Sequence, residues 1–219
     1  MIIGIAGKAR SGKDTFANFL INEFEESYNR LFKTTAFAHR LKQMCVEHFM
    51  LNREQLWGGD KEVPDKRYPK TTKPYCKGLG KSDLPKSNYW TAREIMQELG
   101  SFYRKIDNNF WVNQVDSTWK LSSCPDVVIT DARHINECDY IKENGILIRV
   151  TRNEDNKIHG MSHESEVALD GKPDSYFDLT VVNERDLFEL QLAAIESAKI
   201  ILQLEKLKEQ GRKYNVEEK

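Results

Sequence analysis

Gly7-Lys8-Ala9-Arg10-Ser11-Gly12-Lys13-Asp14-Thr15 concentrates more usable chemistry than any other stretch of this 219-residue chain. The spacing is G-x-x-x-x-G-K. Glycines so placed let successive backbone N–H groups turn into one hollow the size of a phosphate, and a helix opening at the lysine adds its positive dipole end. Lys13 then stands against the β- and γ-phosphates of a nucleoside triphosphate, with Arg10 and Lys8 supplying charge at the rim. Gly7, Arg10, Ser11, Gly12, Lys13, Asp14 and Thr15 are the predicted ATP-binding set. Ser or Thr ordinarily follows the lysine and holds Mg²⁺ through its hydroxyl. Here that place is Asp14, and a carboxylate beside a triphosphate is repulsive unless a cation intervenes. Asp14 is therefore predicted as a direct or water-mediated Mg²⁺ partner, and Thr15 as a hydroxyl donor to phosphate. No G-x-G-x-x-G is present, which argues against a dinucleotide site.

Other candidates lie further along. Asp131 closes the apolar run Val127-Val128-Ile129-Thr130, and the carboxyl end of a buried parallel strand is where ligands bind in such folds. It is predicted to hold Mg²⁺ or orient substrate, with a helix N-cap as the alternative. Arg133 and Glu137 follow at i and i+4, either at a substrate or as a surface ion pair. Arg93 and Gln97 share the same spacing. Arginine suits bidentate phosphate binding, and glutamine offers a donor and an acceptor to a base edge. Arg152 opens a polar stretch, 152–162, suited to a lid that brings a cation onto a transferring phosphoryl group. Arg149 is the alternative, but it sits inside a strand pattern. His163 stands in no H-E-x-x-H spacing, so a zinc site is not expected.

The elements that must position these groups follow from periodicity. Residues 2–6 are a buried strand, followed by the loop and by a helix with Phe16, Phe19, Leu20 and Phe24 on one face. A strand at 32–38 and a helix from Arg40 to Met50 come next. Between 52 and 90 lie four of the six prolines, and residues 60–86 hold eight basic and four acidic side chains. That composition predicts an insertion or mobile loop. Thr91 opens a capping box with Glu94, starting a helix striped by Ile95, Leu99, Phe102 and Ile106. Trp111, Val115 and Trp119 mark another helix. Strands at 127–130, 146–150 and 179–182, a helix from Ile135 to Asn144 and a long one over 186–210 complete the chain. Short apolar strands alternating with helices predict a doubly wound α/β fold with a parallel sheet, as one domain over 1–210 with a tail at 211–219.

Composition narrows the classes further. Lys+Arg number 33 and Asp+Glu 34, a net charge of −1, and a dedicated duplex-DNA binder normally shows a basic excess. No apolar run reaches membrane-spanning length and no signal segment is evident, so a cytoplasmic protein is expected, without nucleic-acid polymer or membrane partners. The oligomeric state stays open between monomer and homodimer. Cys45, Cys76, Cys124 and Cys138 form no CxxC pair and are read as reduced thiols.

A guanine-reading N-K-x-D is absent, which argues against a regulatory GTPase. Small-molecule kinases fit the length. In its motifs the chain resembles the phage-type deoxynucleoside monophosphate kinases. The matching residues are the Gly7–Thr15 loop; Phe37, Ala38, Leu41 and Lys42; Thr91, Arg93, Gln97 and Gly100; Trp111; Asp131, Arg133 and Glu137; Arg152; His163, Ser165 and Glu166; and Asp178 with Asn183. The resemblance implies an adenylate-kinase-like fold, transfer of the ATP γ-phosphoryl group to a dNMP with Mg²⁺, and a host-cytoplasm location if the gene is a phage's. It implies a dNMP pocket of Lys42, Arg93, Gln97, Gly100, Trp111, Asp131, Arg133 and Glu137. Lys13, Arg10 and Arg152 are the catalytic cations, and Asp14 and Asp131 the metal carboxylates. The competing readings are a kinase for another small acceptor and an ATP-binding regulatory module with little turnover.

Overall fold

Ile2-Ile3-Gly4-Ile5-Ala6 is buried at every position. A strand apolar on both faces must be covered on both, which places it inside a parallel sheet. The computed structural model describes residues 1–70, 88–123, 126–152, 168–184 and 186–217, with side chains through residue 210. In chain order the strands are β1 (Ile2–Ala6), β2 (Lys33–Thr35), β3 (Pro64–Pro69), β4 (Tyr89–Thr91), β5 (Val127–Ala132), β6 (Gly145–Arg152) and β7 (Leu179–Asn183). The helices are α1 (Lys13–Tyr28), α2 (Ala38–Phe49), α3 (Arg53–Leu56), α4 (Ala92–Ile106), α5 (Phe110–Lys120), α6 (Ile135–Asn144) and α7 (Leu187–Glu217). Two compact units result. One combines Met1–Phe37 with Trp111–Lys219, and the other is Ala38–Phe110.

The first unit is a five-stranded sheet in the order β2-β5-β1-β6-β7, every pairing parallel. β1 lies in the middle, with Ile3 opposite both Val128 and Ile146. Alternate residues of a strand face opposite ways. Ile3 and Ile5 join a core with Phe16, Leu20 and Phe24 of α1 and Leu190, Ala194 and Ile201 of α7. Gly4 faces the other way, where a Cβ would collide with Ile141 of α6. Helices therefore cover both faces, and the doubly wound α/β reading holds. The helix stop at Gly145 is also found, and Gly145 itself begins β6. α7 runs on past Gly211 to Glu217. Among the described residues no helix is long and apolar enough to cross a membrane.

The second unit contains much of the stretch read as a loop, and its described part is ordered. Asn52 and Gln55 form a capping box that starts α3, Leu56 is fully buried, and β3 pairs antiparallel with β4. Arg67 forks onto Asp65 and reaches the Met50 carbonyl, while the Tyr68 hydroxyl donates to the Phe49 carbonyl. Carbonyls at the end of α2 thus find donors from β3. Proline-rich composition concealed this because the pairing partners lie on both sides of residues 71–87, which are outside the described residues. The predicted Thr91–Glu94 capping box is present. Of its stripe, Ile95 is buried, whereas Phe102 and Ile106 are exposed.

Candidate active site

The loop after β1 has an unusual backbone. Arg10 and Gly12 adopt positive φ, 64° and 91°, and a Cβ on Gly7 would strike the Val150 carbonyl oxygen. Glycine at both ends therefore follows from sterics. The Ser11 N–H donates to the Lys8 carbonyl at 3.2 Å, and Gly12 accepts from Phe16 as α1 begins. Lys13 is 6% exposed, with its Nζ 3.4 Å from the Lys8 carbonyl oxygen. Arg10 and Asp14 are exposed, Thr15 is half-buried, and Lys8 pairs with Asp170 at 3.0 Å. Ser11 is fully buried, and its hydroxyl has no hydrogen-bond partner among the described residues. A buried hydroxyl left unpaired is costly. It marks a place where an incoming polar group would complete the loop.

The flanking strand ends carry the next candidates. Ala6 of β1 is in register with Ala132, so Asp131 and Arg133 bracket the position beside the loop's start. Asp131 Oδ1 accepts the Phe37 N–H at 2.7 Å, tying the end of β5 to the segment after β2. The N-cap of α6 is His134, not Asp131. Arg133 precedes that helix rather than lying on it. The carboxylate of Glu137, 2% exposed, accepts the backbone N–H groups of Arg133 and His134 at 2.9 and 3.0 Å. Glu137 thus serves as a buried acceptor at the start of α6. Trp111 is 2% exposed, the placement of a core aromatic. Arg152 ends β6, half-buried and in register with Asn183. Arg149 packs on the Phe177 ring and donates to the Lys172 carbonyl. His163, Ser165, Glu166 and the stretch 153–162 lie outside the described residues.

Lys42, Arg93, Gln97 and Gly100 belong to the second unit. Lys42 lies over the Trp57 ring at 5.1 Å, a cation–π contact. Arg93 and Gln97 are half-buried on α4, and the Arg93 guanidinium pairs with the Glu62 carboxylate. Gly100 is buried beside Leu41 and Arg104.

Two links with structural weight were invisible in the spacing. Asn183, at the end of β7, donates its side-chain amide to the Ser11 carbonyl at 2.9 Å. Arg30 forks onto Asp126 and Glu205, 96 and 175 residues away. No local pattern signals partners so distant.

For a metal the donor set is sparse. Among the described residues no group of three His, Cys, Asp or Glu side chains could hold one. Mg²⁺ is usually bound through one or two carboxylates together with substrate phosphates, and the single carboxylates Asp14 and Asp131 suit that mode.

A parallel sheet whose central strand runs through a glycine loop into a helix is an α/β fold compatible with a P-loop NTPase. The description "deoxynucleotide monophosphate kinase" matches residues 61–193, more than half the chain, and the chain belongs to that kinase family, whose members are phosphotransferases. The chain is also 29% identical over 196 residues to a protein of Acanthamoeba polyphaga mimivirus named "Putative deoxynucleotide monophosphate kinase", covering 86% of this chain and 91% of that one.

Proposed function

We propose that the protein transfers the γ-phosphoryl group of ATP to a deoxynucleoside monophosphate, producing dNDP and ADP, with Mg²⁺. The observation that carries the donor side is the loop itself, which follows the central strand and holds both a buried Lys13 and a buried Ser11 hydroxyl without a partner among the described residues. Family membership supports the acceptor class.

Phosphoryl transfer asks little covalent work of a protein. Rate comes from positioning and from charges aimed at the phosphoryl oxygens. Lys13, Arg10 and Arg152 are assigned that role. Mg²⁺ bound with ATP supplies further charge neutralisation, and Asp14 and Asp131 are the carboxylates that would hold it. Arg93 and Gln97 are assigned to the acceptor's phosphate and base, with Lys42 as a further cation. The acceptor is already anionic, so no strong general base is needed.

A coupled ADP-release assay with each dNMP and NMP, in Mg²⁺ and ATP, tests the reading. Turnover with at least one dNMP is expected, and Lys13→Ala should lower kcat by about 10²-fold or more, as loss of a transition-state charge partner does. Absence of turnover with every monophosphate would overturn it.

A further inference from the structure

We propose that Asn183 is a positioning residue for the glycine loop: its side-chain amide fixes the Ser11–Gly12 peptide so that the Gly12 N–H is aimed at a bound phosphate. This rests on the reading of the loop as the ATP site.

Asn183 is the last residue of β7, the edge strand beyond β6, and is 4% exposed. Its Nδ2 donates to the Ser11 carbonyl oxygen at 2.9 Å in a buried bond spanning 172 residues. The amide lies directly over Gly12, where a Cβ would collide with Nδ2. Gly12 is thus required twice, once by its φ of 91° and once by the amide packed on it. In a trans peptide the C=O and the following N–H point in opposite directions. With the Ser11 carbonyl held by Asn183, the Gly12 N–H must point away from β7's amide. An anion hollow needs its N–H groups to converge, and a peptide turned over would present a carbonyl oxygen to the phosphate instead. The Ser11 hydroxyl, on the residue being held, is buried and unpartnered, and it points independently to a ligand at this peptide.

The chemistry selects asparagine. A carbonyl needs a donor, and an ionised Asp has none to offer. Titrating ATP with Mg²⁺ into wild type, Asn183→Ala and Asn183→Asp by calorimetry tests this, with KM for ATP and for dNMP measured in parallel. Asn183→Ala should bind ATP about tenfold more weakly, the scale of one buried hydrogen bond. The near-isosteric Asn183→Asp, which sets an anion against a carbonyl and near the phosphates, should bind about a hundredfold more weakly. KM for dNMP should stay within twofold. If Asn183→Ala does not fold, Asn183→Asp carries the comparison. Wild type that binds ATP alongside variants that bind it equally well would overturn the positioning role and leave the ATP site standing. Parallel rises in both KM values would also overturn it, since they indicate general loosening. Wild type that takes up no ATP would overturn both readings.

Discussion

Glu137 takes two backbone N–H groups at the start of α6 while being almost wholly buried. Replacing it with Ala leaves both donors without an acceptor in a dry place. We expect Glu137→Ala to lose about 2–4 kcal/mol in urea unfolding, and Glu137→Gln, which keeps an acceptor oxygen, to lose much less. Unchanged stability with a raised KM for dNMP would make it a substrate ligand instead. Arg93 presents the opposite case, an exposed pair. Its partner Glu62 is a carboxylate occupying a guanidinium that is assigned to phosphate. Exposed pairs are worth under about 1 kcal/mol, so Glu62→Gln should lower KM for dNMP by only two- to fivefold. Arg93→Ala should raise it at least tenfold with kcat little changed. Equal kinetics in both variants would remove Arg93 from the acceptor site.

Elements are joined by Arg30, which follows α1 and bridges the residue leading into β5 to the long helix α7. Burial alone would push the Asp126 carboxyl up, but hydrogen bonds from Arg30 and the Met1 amine outweigh it and hold the group below its ordinary value. A depressed carboxylate contributes stability that is fully present above its unfolded pKa, near 4, and lost as pH falls through the lower folded value. Asp126→Asn should therefore cost about 2 kcal/mol at pH 7, with the gap to wild type closing toward pH 2–3. A gap that does not vary with pH would contradict this. The strands and helices were legible because their signals are local. Ile2–Ala6 is apolar throughout, Phe16, Leu20 and Phe24 repeat at helical spacing, and Thr91 and Glu94 form their box within four residues. The loop was legible because the glycine and lysine spacing is itself the geometry. The links from Arg30 to Glu205 and from Asn183 to Ser11, and the β3–β4 pairing, were not. Each joins residues whose proximity exists only after the chain has folded. The backbone bonds of Glu137 were not legible either: its spacing to Arg133 left a substrate contact and a surface ion pair open, and neither specifies an acceptor for two backbone N–H groups.

Each of the two units holds one described buried cysteine, Cys45 in the second and Cys138 in the first. Burial pushes their thiols up, to about 11 and about 12 respectively. Alkylation must then wait for opening, because the thiolate is the reactive form. Followed by peptide mass spectrometry at pH 8, both should label at least about a hundredfold more slowly than in urea. Cys45 should precede Cys138, which lies beneath the larger sheet. Identical rates would indicate a single cooperative opening. The placement of β1 has a consequence for biosynthesis. Its hydrogen-bonding neighbours are Val127–Ala132 on one side and Gly145–Arg149 on the other. At 5–20 residues per second, the ribosome needs on the order of ten seconds to make those partners after β1 is complete. During that interval the most apolar strand of the sheet has no place to go. The nascent chain should therefore expose a chaperone-binding segment at Ile2–Ala6, which is released only when the sheet's middle can close.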